Sequence, residues 1–464
     1  DLGDQYIRVS GIGQGGENLS ALACLINDHF RAAGRTGLGA VMGSKSLKAV
    51  AVRGTHDVSV AQAEKLREFC KDLYERCKGP ATSKYRTLGT PANVLSLNKQ
   101  GALPTRNFRE AMFEGADKIS GEYLNEHYVV KIEACSACPM RCEHIASVPE
   151  GPFKGATARI EYEPTMAFGS NCGVDRLDAI IRAVELCNVY GVDAISTGMV
   201  IGFAMDLYEN GLINSEDTGG LDLRFGNAEA MVEMVPKIAL RKDIGAVLAD
   251  GVKVAAEKIG KGAEALAVHI KGVELTGYDI RGLKTAALGY IVSRRGADHQ
   301  RHGAYGPDLG GQVDRFKADK SRGRLVADAE DIYAIFDSII LCKFSRGIWK
   351  GYDDIAKLYT LVTGIPMTGA ELQLAGERIN HLSRIYNIRE GLTRTDDTVP
   401  PRIMNDPIPS GVSKGARVTK EDVDVLLDGY YEARGWTLEG VPKAEKLKDV
   451  GLSEYESMVA SKRT

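Results

Sequence analysis

Three features of the sequence predict a mainly α-helical protein with a small β-containing part at its N-terminal end. From Asp57 onward apolar residues recur at helical spacing, whereas the opening segment Tyr6 to Ser10 alternates like a strand. Pro- and Gly-rich breaks near Gly79-Pro80, Pro149 to Gly155, Gly219-Gly220 and Gly303 to Gly311 cut the periodic stretches into helical blocks. At 464 residues and 44% apolar, the chain is long enough for two or three domains with sizeable cores.

The opening strand runs into Gly11-Ile-Gly-Gln-Gly-Gly16, the glycine spacing of a dinucleotide-binding turn. A second glycine-rich stretch follows from Arg31 to Lys45, but no acidic residue closes a clear second strand to hold a ribose, which argues against NAD. Ala61 to Cys77 is charged on one side and apolar on the other, as an amphipathic helix requires. Asp175 is expected to cap a helix carrying Leu177, Ile180, Ile181, Val184 and Cys187 on one face, with Gly191 supplying its left-handed stop. Ile332, Ile335, Phe336 and Ile339 mark a comparable face later in the chain. Both helices end alike, in a polar residue, four spacers and then Asp or Cys: Asn188 to Asp193 and Asp337 to Cys342. Helices over Gly369 to Asn387 and Lys420 to Arg434 precede a Pro- and Lys-rich tail.

With 59 basic and 62 acidic residues the chain has no electrostatic footprint for nucleic acid or an anionic membrane, so the partner is a small molecule or another protein. The most apolar stretch, around Ala194 to Met205, is interrupted by Ser196, Thr197 and Gly198 and is not a membrane span, and no signal peptide opens the chain.

Nine cysteines are too sparse for a disulfide scaffold. Three of them, in Cys135-Ser-Ala-Cys138-Pro-Met-Arg-Cys142, put soft thiolates on one short loop, which points to metal. Two sites are compatible with that loop alone: an iron-sulfur cluster, which needs a fourth thiolate, or a zinc completed by a histidine such as His144.

Several runs resemble the aldehyde ferredoxin oxidoreductases, in that family's order. They are Asn27 to Val52, the Cys-x-x-Cys-Pro-x-x-Cys loop, Glu161-Tyr-Glu163 with Ala167-Phe-Gly169, Leu341-Cys-Lys-Phe344, and Tyr430-Tyr-Glu-Ala-Arg-Gly-Trp436. The resemblance implies helical domains 2 and 3 of that family, spanning 58–268 and 269–464. Residues 1–57 would be a remnant of a β-rich cofactor-binding domain of which most is lacking, through either a fragment or a shortened gene. It further implies a 4Fe-4S cluster on Cys135, Cys138, Cys142 and Cys342. A tungsten (or molybdenum) bis-molybdopterin is implied as well, its pterins held by two copies of an Asp-x-x-Gly-Leu-(Cys or Asp) motif. The first copy implies contacts at Asn188, Gly191, Val192 and Asp193, the second at Asp337 and Leu341, with Arg31, Ala32 and Arg301 as further pterin or phosphate contacts. The copies depart from the pattern where Asn188 replaces an acid, Val192 a leucine and Ile340 a glycine. A glycine at the last position would serve a positive φ or a close ligand approach.

Catalysis is implied at Glu163, as proton acceptor, and His299, as hydrogen-bond donor to a carbonyl oxygen. Cys172 could add a sulfur ligand, though a single Cys beside apolar residues more often packs. The implied reaction is oxidation of an aldehyde to a carboxylic acid, with electrons leaving to ferredoxin or an iron-sulfur subunit, in the cytoplasm and with room for a homo-oligomer. The rival function is a tungsten-free electron-transfer or scaffold subunit that keeps only the cluster.

Overall fold

The computed structural model describes residues 3–28 and 30–460. In chain order the elements used below begin with β1 (Arg8–Gly11), β2 (Leu25–Asn27), β3 (Arg31–Ala33), β4 (Ala49–Val52) and α1 (Ala63–Lys78). Then come β5 (Val129–Glu133), β6 (Glu143–Ser147), β7 (Thr157–Arg159), α2 (Tyr162–Phe168), α3 (Leu177–Tyr190), α4 (Ala194–Glu209), α5 (Ala228–Ala239) and α6 (Val252–Ile259). The chain continues through β8 (His269–Ile270), β9 (Val273–Glu274), α7 (Lys284–Val292), α8 (Arg322–Ser338), α9 (Tyr352–Thr363), α10 (Gly369–Arg389) and α11 (Lys420–Arg434). The fold is mainly helical, as the periodicity predicts.

Contacts group the chain into two compact units, each built from three segments. The first takes the described residues up to His56, then Lys84–Asp279 and Pro400–Arg417. It contains a four-stranded sheet in the order β3-β2-β1-β4, a three-stranded sheet β5-β6-β7 and the β8-β9 pair. Every pairing is antiparallel, with Ser10 opposite Asn27 and Val50, and Ile26 opposite Ala32. A dinucleotide-binding unit needs parallel strands joined by a crossover helix, so the glycine turn after β1 belongs to different packing. The core of this unit is α4, whose residues Ser196 to Leu207 are all buried. That explains its lack of an amphipathic stripe, since a helix covered on all sides needs no polar face. The returning segment is tied in by Arg402, whose Nη1 donates to Asn107 O (2.7 Å) and Asp206 Oδ2 (2.5 Å).

The second unit takes Asp57–Ser83, Ile280–Val399 and the described residues from Val418 on. Here α8 is the spine, lying against α10 and α11. Ile335 and Phe336 of α8 meet Ile355 and Ala356 of α9 and Leu372 of α10. Burial of each large side chain contributes roughly 1.5–3 kcal/mol. Helix α10 begins at a Thr368/Glu371 capping box and α11 at a Thr419/Asp422 box, with Gly435 left-handed (φ 68) after Arg434. Among the described residues no helix is long and apolar enough to cross a membrane.

Candidate functional site

The two alike helix ends are alike in three dimensions. At the end of α3 Gly191 is left-handed (φ 66), and the N–H of Val192 reaches back to Cys187 O at 3.0 Å. At the end of α8 Ile340 is left-handed (φ 58), and the N–H of Leu341 reaches Phe336 O at 2.8 Å. Both are the long return bond of a Schellman ending. The closing residues then share one backbone conformation, Asp193 at φ −66, ψ 121 and Cys342 at φ −67, ψ 127, and each starts the next helix. The expectation that Asp175 caps α3 fails: Arg176 holds the N-cap position without a side-chain bond, and Asp175 instead accepts from Lys118 Nζ at 2.7 Å.

The first helix end is wedged into the glycine-rich segments. A Cβ on Gly13 would stand 2.3 Å from the Tyr190 carbonyl carbon, so only glycine admits this approach. The dinucleotide-like turn is therefore a packing device for the end of α3. The N–H of Asp193 donates to Leu22 O (2.8 Å) and that of Cys24 to Gly191 O (2.9 Å). Val192 is buried against this backbone, pairing with Ala23. Asn188 is half-buried on the last turn. The Asp193 carboxylate accepts from Ser196 N (2.8 Å) at the start of α4, and Arg35 faces it. Burial pushes this carboxyl up, while the Arg35 guanidinium pulls it down.

The second helix end is held by charge. Asp337 takes Lys343 Nζ on Oδ1 (2.6 Å), and Arg294 Nη2 (3.1 Å) and Arg301 Nη1 on Oδ2. Arg294 also donates to Asn380 Oδ1 (3.0 Å), Asn380 to Asp331 Oδ1 (2.8 Å), and Arg434 to the same oxygen (2.6 Å). A polar seam thus runs along α8 from a fully buried arginine to Asp337. Counting Arg295 on Asp298, four cations (Arg294, Arg295, Arg301, Lys343) surround two carboxylates. That excess suits an anionic ligand. Leu341 packs on the apolar cluster of α8, α9 and α10.

Cys135, Cys138 and Cys142 lie on the tip joining β5 to β6, just beyond the Glu133–Glu143 pair. Ala137 (φ 54) and Arg141 (φ 50) turn this tip through the left-handed region. Arg31, on β3, donates to Cys135 Sγ at 2.8 Å and pairs with Glu143, so its guanidinium serves the thiol loop. Ala32, its neighbour, is exposed and opposite Ile26. Cys135 and Cys342 are exposed, Cys138 is half-buried and Cys142 buried. Among the described residues no three His, Cys, Asp or Glu side chains are gathered closely enough to hold a metal ion. His144 is buried with Nδ1 2.7 Å from Asn125 Oδ1, so that ring nitrogen is already engaged.

Glu163 lies in the first turn of α2, where the helix dipole favours a carboxylate, and its Oε2 accepts from Gly277 N at 2.9 Å. His299 is buried, with the Gln300 amide 2.6 Å from Nε2. An amide donor there makes Nε2 the acceptor and leaves Nδ1 as the ring's donor. Arg301 also lies 3.5 Å from Asp298. Cys172 is fully buried, its thiol 3.3 Å from Ala167 O and kept protonated by burial: it packs. Arg35, Arg294 and Lys343 escaped the sequence reading. Lys343 adjoins Cys342 and Arg35 lies within a flagged glycine-rich stretch, but nothing local singles out Arg294.

Residues 68–452 match the family model described as aldehyde ferredoxin oxidoreductase, domains 2 and 3, and residues 1–54 the one for the N-terminal domain of the same family. A tungsten-containing aldehyde ferredoxin oxidoreductase of Pyrococcus abyssi is 36% identical over 467 residues, covering 98% of this chain and 75% of that protein. An aliphatic sulfonate oxidoreductase, WOR-like subunit, of Pyrococcus furiosus is 32% identical, over 97% of this chain and 70% of that protein. A solved structure, the active site complex BamBC of benzoyl coenzyme A reductase with 1,5-dienoyl-CoA, is similar in fold, with a TM-score of 0.78 at 24% identity over 99% of this chain and 76% of that one.

Proposed function

The chain belongs to the aldehyde ferredoxin oxidoreductase family of oxidoreductase enzymes, and on that premise we propose that it oxidises an aldehyde to a carboxylic acid and passes the electrons to ferredoxin or an iron-sulfur subunit in the cytoplasm. In this reading the chain divides into 1–57, 58–268 and 269–464, the last two carrying one helix end each.

The donors suit the implied groups. Three thiols on one loop, with Arg31 donating to Cys135 Sγ, match the soft ligands of an iron-sulfur cluster, and Cys342 would be the fourth. The cation excess around Asp337 matches the phosphates of a pterin cofactor, for which Arg301, Asp337, Leu341, Asn188, Gly191, Val192 and Asp193 would form the seats. When bound, the tungsten pterin would supply two-electron redox chemistry and the cluster a one-electron exit. The protein would do the rest. His299 would donate through Nδ1 to the aldehyde oxygen and orient its carbon. Glu163, fixed by the Gly277 N–H, would accept a proton as water adds, for a balance of RCHO + H2O giving RCOOH, two protons and two electrons.

The shared geometry of the two helix ends supports this reading best, because one backbone form used twice suits a ligand with two equivalent halves. The test is anaerobic purification with analysis of iron, tungsten and molybdenum, followed by aldehyde-dependent dye reduction. Four irons and one tungsten per chain with aldehyde turnover are expected. Full tungsten without aldehyde turnover would redirect the substrate to another class, and iron without tungsten would favour a pure electron-transfer subunit. Glu163→Gln should lower turnover at least a hundredfold with metal content unchanged; normal turnover would remove Glu163 from the mechanism.

A further inference from the structure

Arg35 is surrounded by acids in a way that the site above does not use. Its side chain is buried between two carboxylates, 3.8 Å from Asp193 Oδ2 and 3.4 Å from Glu274 Oε2. Nη2 also donates to the Glu274 carbonyl at 2.7 Å, and Nε and Nη2 face Ser196 Oγ at 3.4 and 3.3 Å. Each carboxylate has a second duty: Asp193 caps α4 through Ser196 N, and Glu274 Oε1 accepts from Val252 N (2.9 Å) at the start of α6. Gly34, just before Arg35, is packed so that a Cβ would meet Asp193 Oδ1 at 2.7 Å. One guanidinium thus joins the Arg31–Arg35 segment, the Asn188–Asp193 helix end, β9 and the starts of α4 and α6.

We propose that Arg35 is a positioning residue: by bridging the buried Asp193 and Glu274 and offsetting their charge it locks the Gly191–Asp193 turn onto the Arg31–Arg35 segment and so shapes the first pterin seat. This rests on the reading of residues 188–193 as a cofactor seat. The electrostatic logic is independent of that reading. Two ionised carboxylates buried without a cation are costly, since removing one partner of a buried pair leaves an uncompensated charge. The other titratable groups around the pair are the buried thiols of Cys24 and Cys187 near Asp193, and His269 opposite Glu274 with Lys253 and Glu257 of α6 beside that ring. The thiols and the imidazole supply no permanent positive charge, and the cation paired with both acids is Arg35. Removing Arg35 therefore makes the turn dependent on protonation of the Asp193 carboxyl, which burial already pushes up, and low pH restores what high pH takes away.

The experiment uses the full chain purified anaerobically, as wild type and as Arg35→Met, Arg35→Lys and Arg35→Met/Asp193→Asn, with tungsten, iron and thermal midpoint measured at pH 8 and pH 5. Arg35→Met is expected to lose more than half its tungsten while keeping its iron. Its midpoint should fall on the order of 5–10 °C at pH 8 and by half as much or less at pH 5. Adding Asp193→Asn, which keeps a capping oxygen, should recover at least half of the pH 8 loss. Arg35→Lys retains the charge, and its profile should parallel the wild type even if Arg35→Met does not fold. An Arg35→Met midpoint displaced equally at both pH values, or an Arg35→Lys profile that diverges between them, would overturn the proposal. Wild-type protein without tungsten would instead count against the cofactor reading, and the pH comparison would still decide the role of Arg35.

Discussion

A β-branched side chain in the left-handed region costs about 1–2 kcal/mol, and Ile340 holds that position with its side chain 91% exposed. Its packing offsets almost none of this strain. Ile340→Gly should therefore stabilise the chain by about 0.5 kcal/mol once the extra freedom of glycine in the unfolded state is deducted, read as a higher midpoint in urea. A loss of stability would mean that the side chain makes contacts in solution. The need for a positive φ here was legible in the sequence from the glycine that the family pattern places at this position. The identity of Arg31's partner was not: a lone arginine reads as a phosphate contact or surface charge, and only the pairing of β3 brings it to Cys135. For Cys172 the sequence left packing and a sulfur ligand both open, with packing the commoner outcome, and the thiol is fully buried.

At the scale of elements, the helices with amphipathic stripes and explicit caps were readable, and α10 and α11 begin at the predicted residues. The Gly303 to Gly311 break was not so simple, since it contains a short helix, Tyr305–Leu309. That helix carries Asp308, which is 3% exposed and accepts from Ala286 N (2.9 Å) in the first turn of α7. Burial pushes its carboxyl up to about 6, with the Ala286 N–H, Thr285 and Arg322 pulling the other way. A carboxyl raised on folding adds stability that is fully present below its unfolded value near 3.8 and is lost as pH rises through 6. Wild type should gain on the order of 1 kcal/mol relative to Asp308→Asn between pH 7.5 and pH 5, measured by urea unfolding of both proteins. Parallel profiles would show that Asp308 stays ionised. No single-sequence signal marks this residue, because its burial comes from α7 folding over it.

Across the whole molecule, each compact unit is assembled from three separated stretches. Reading along the chain finds blocks and breaks, but which blocks share a core depends on contacts hundreds of residues apart. The Pro400–Arg417 return is the clearest case, since Arg402 bonds residues in the first unit almost 300 positions earlier (a separation of 295). Arg402→Ala leaves the fully buried Asp206 with Arg109 and Asn107 but without its second guanidinium. The expected cost is about 3 kcal/mol, with limited proteolysis cutting first within 400–417; cleavage at the wild-type rate would show that the segment is held by its apolar contacts instead.

The paired helix ends carry one more consequence. A terminus whose backbone is built the same way twice, on six different residues, separates the fitting from what is plugged into it. Asp193 at that last place anchors the next helix, whereas Cys342 leaves a sulfur facing outward. A backbone form that accepts an acid at one end and a thiol at the other lets the closing residue change its chemistry without redesigning either helix. The same economy offers a protein engineer a socket whose plug can be changed one residue at a time.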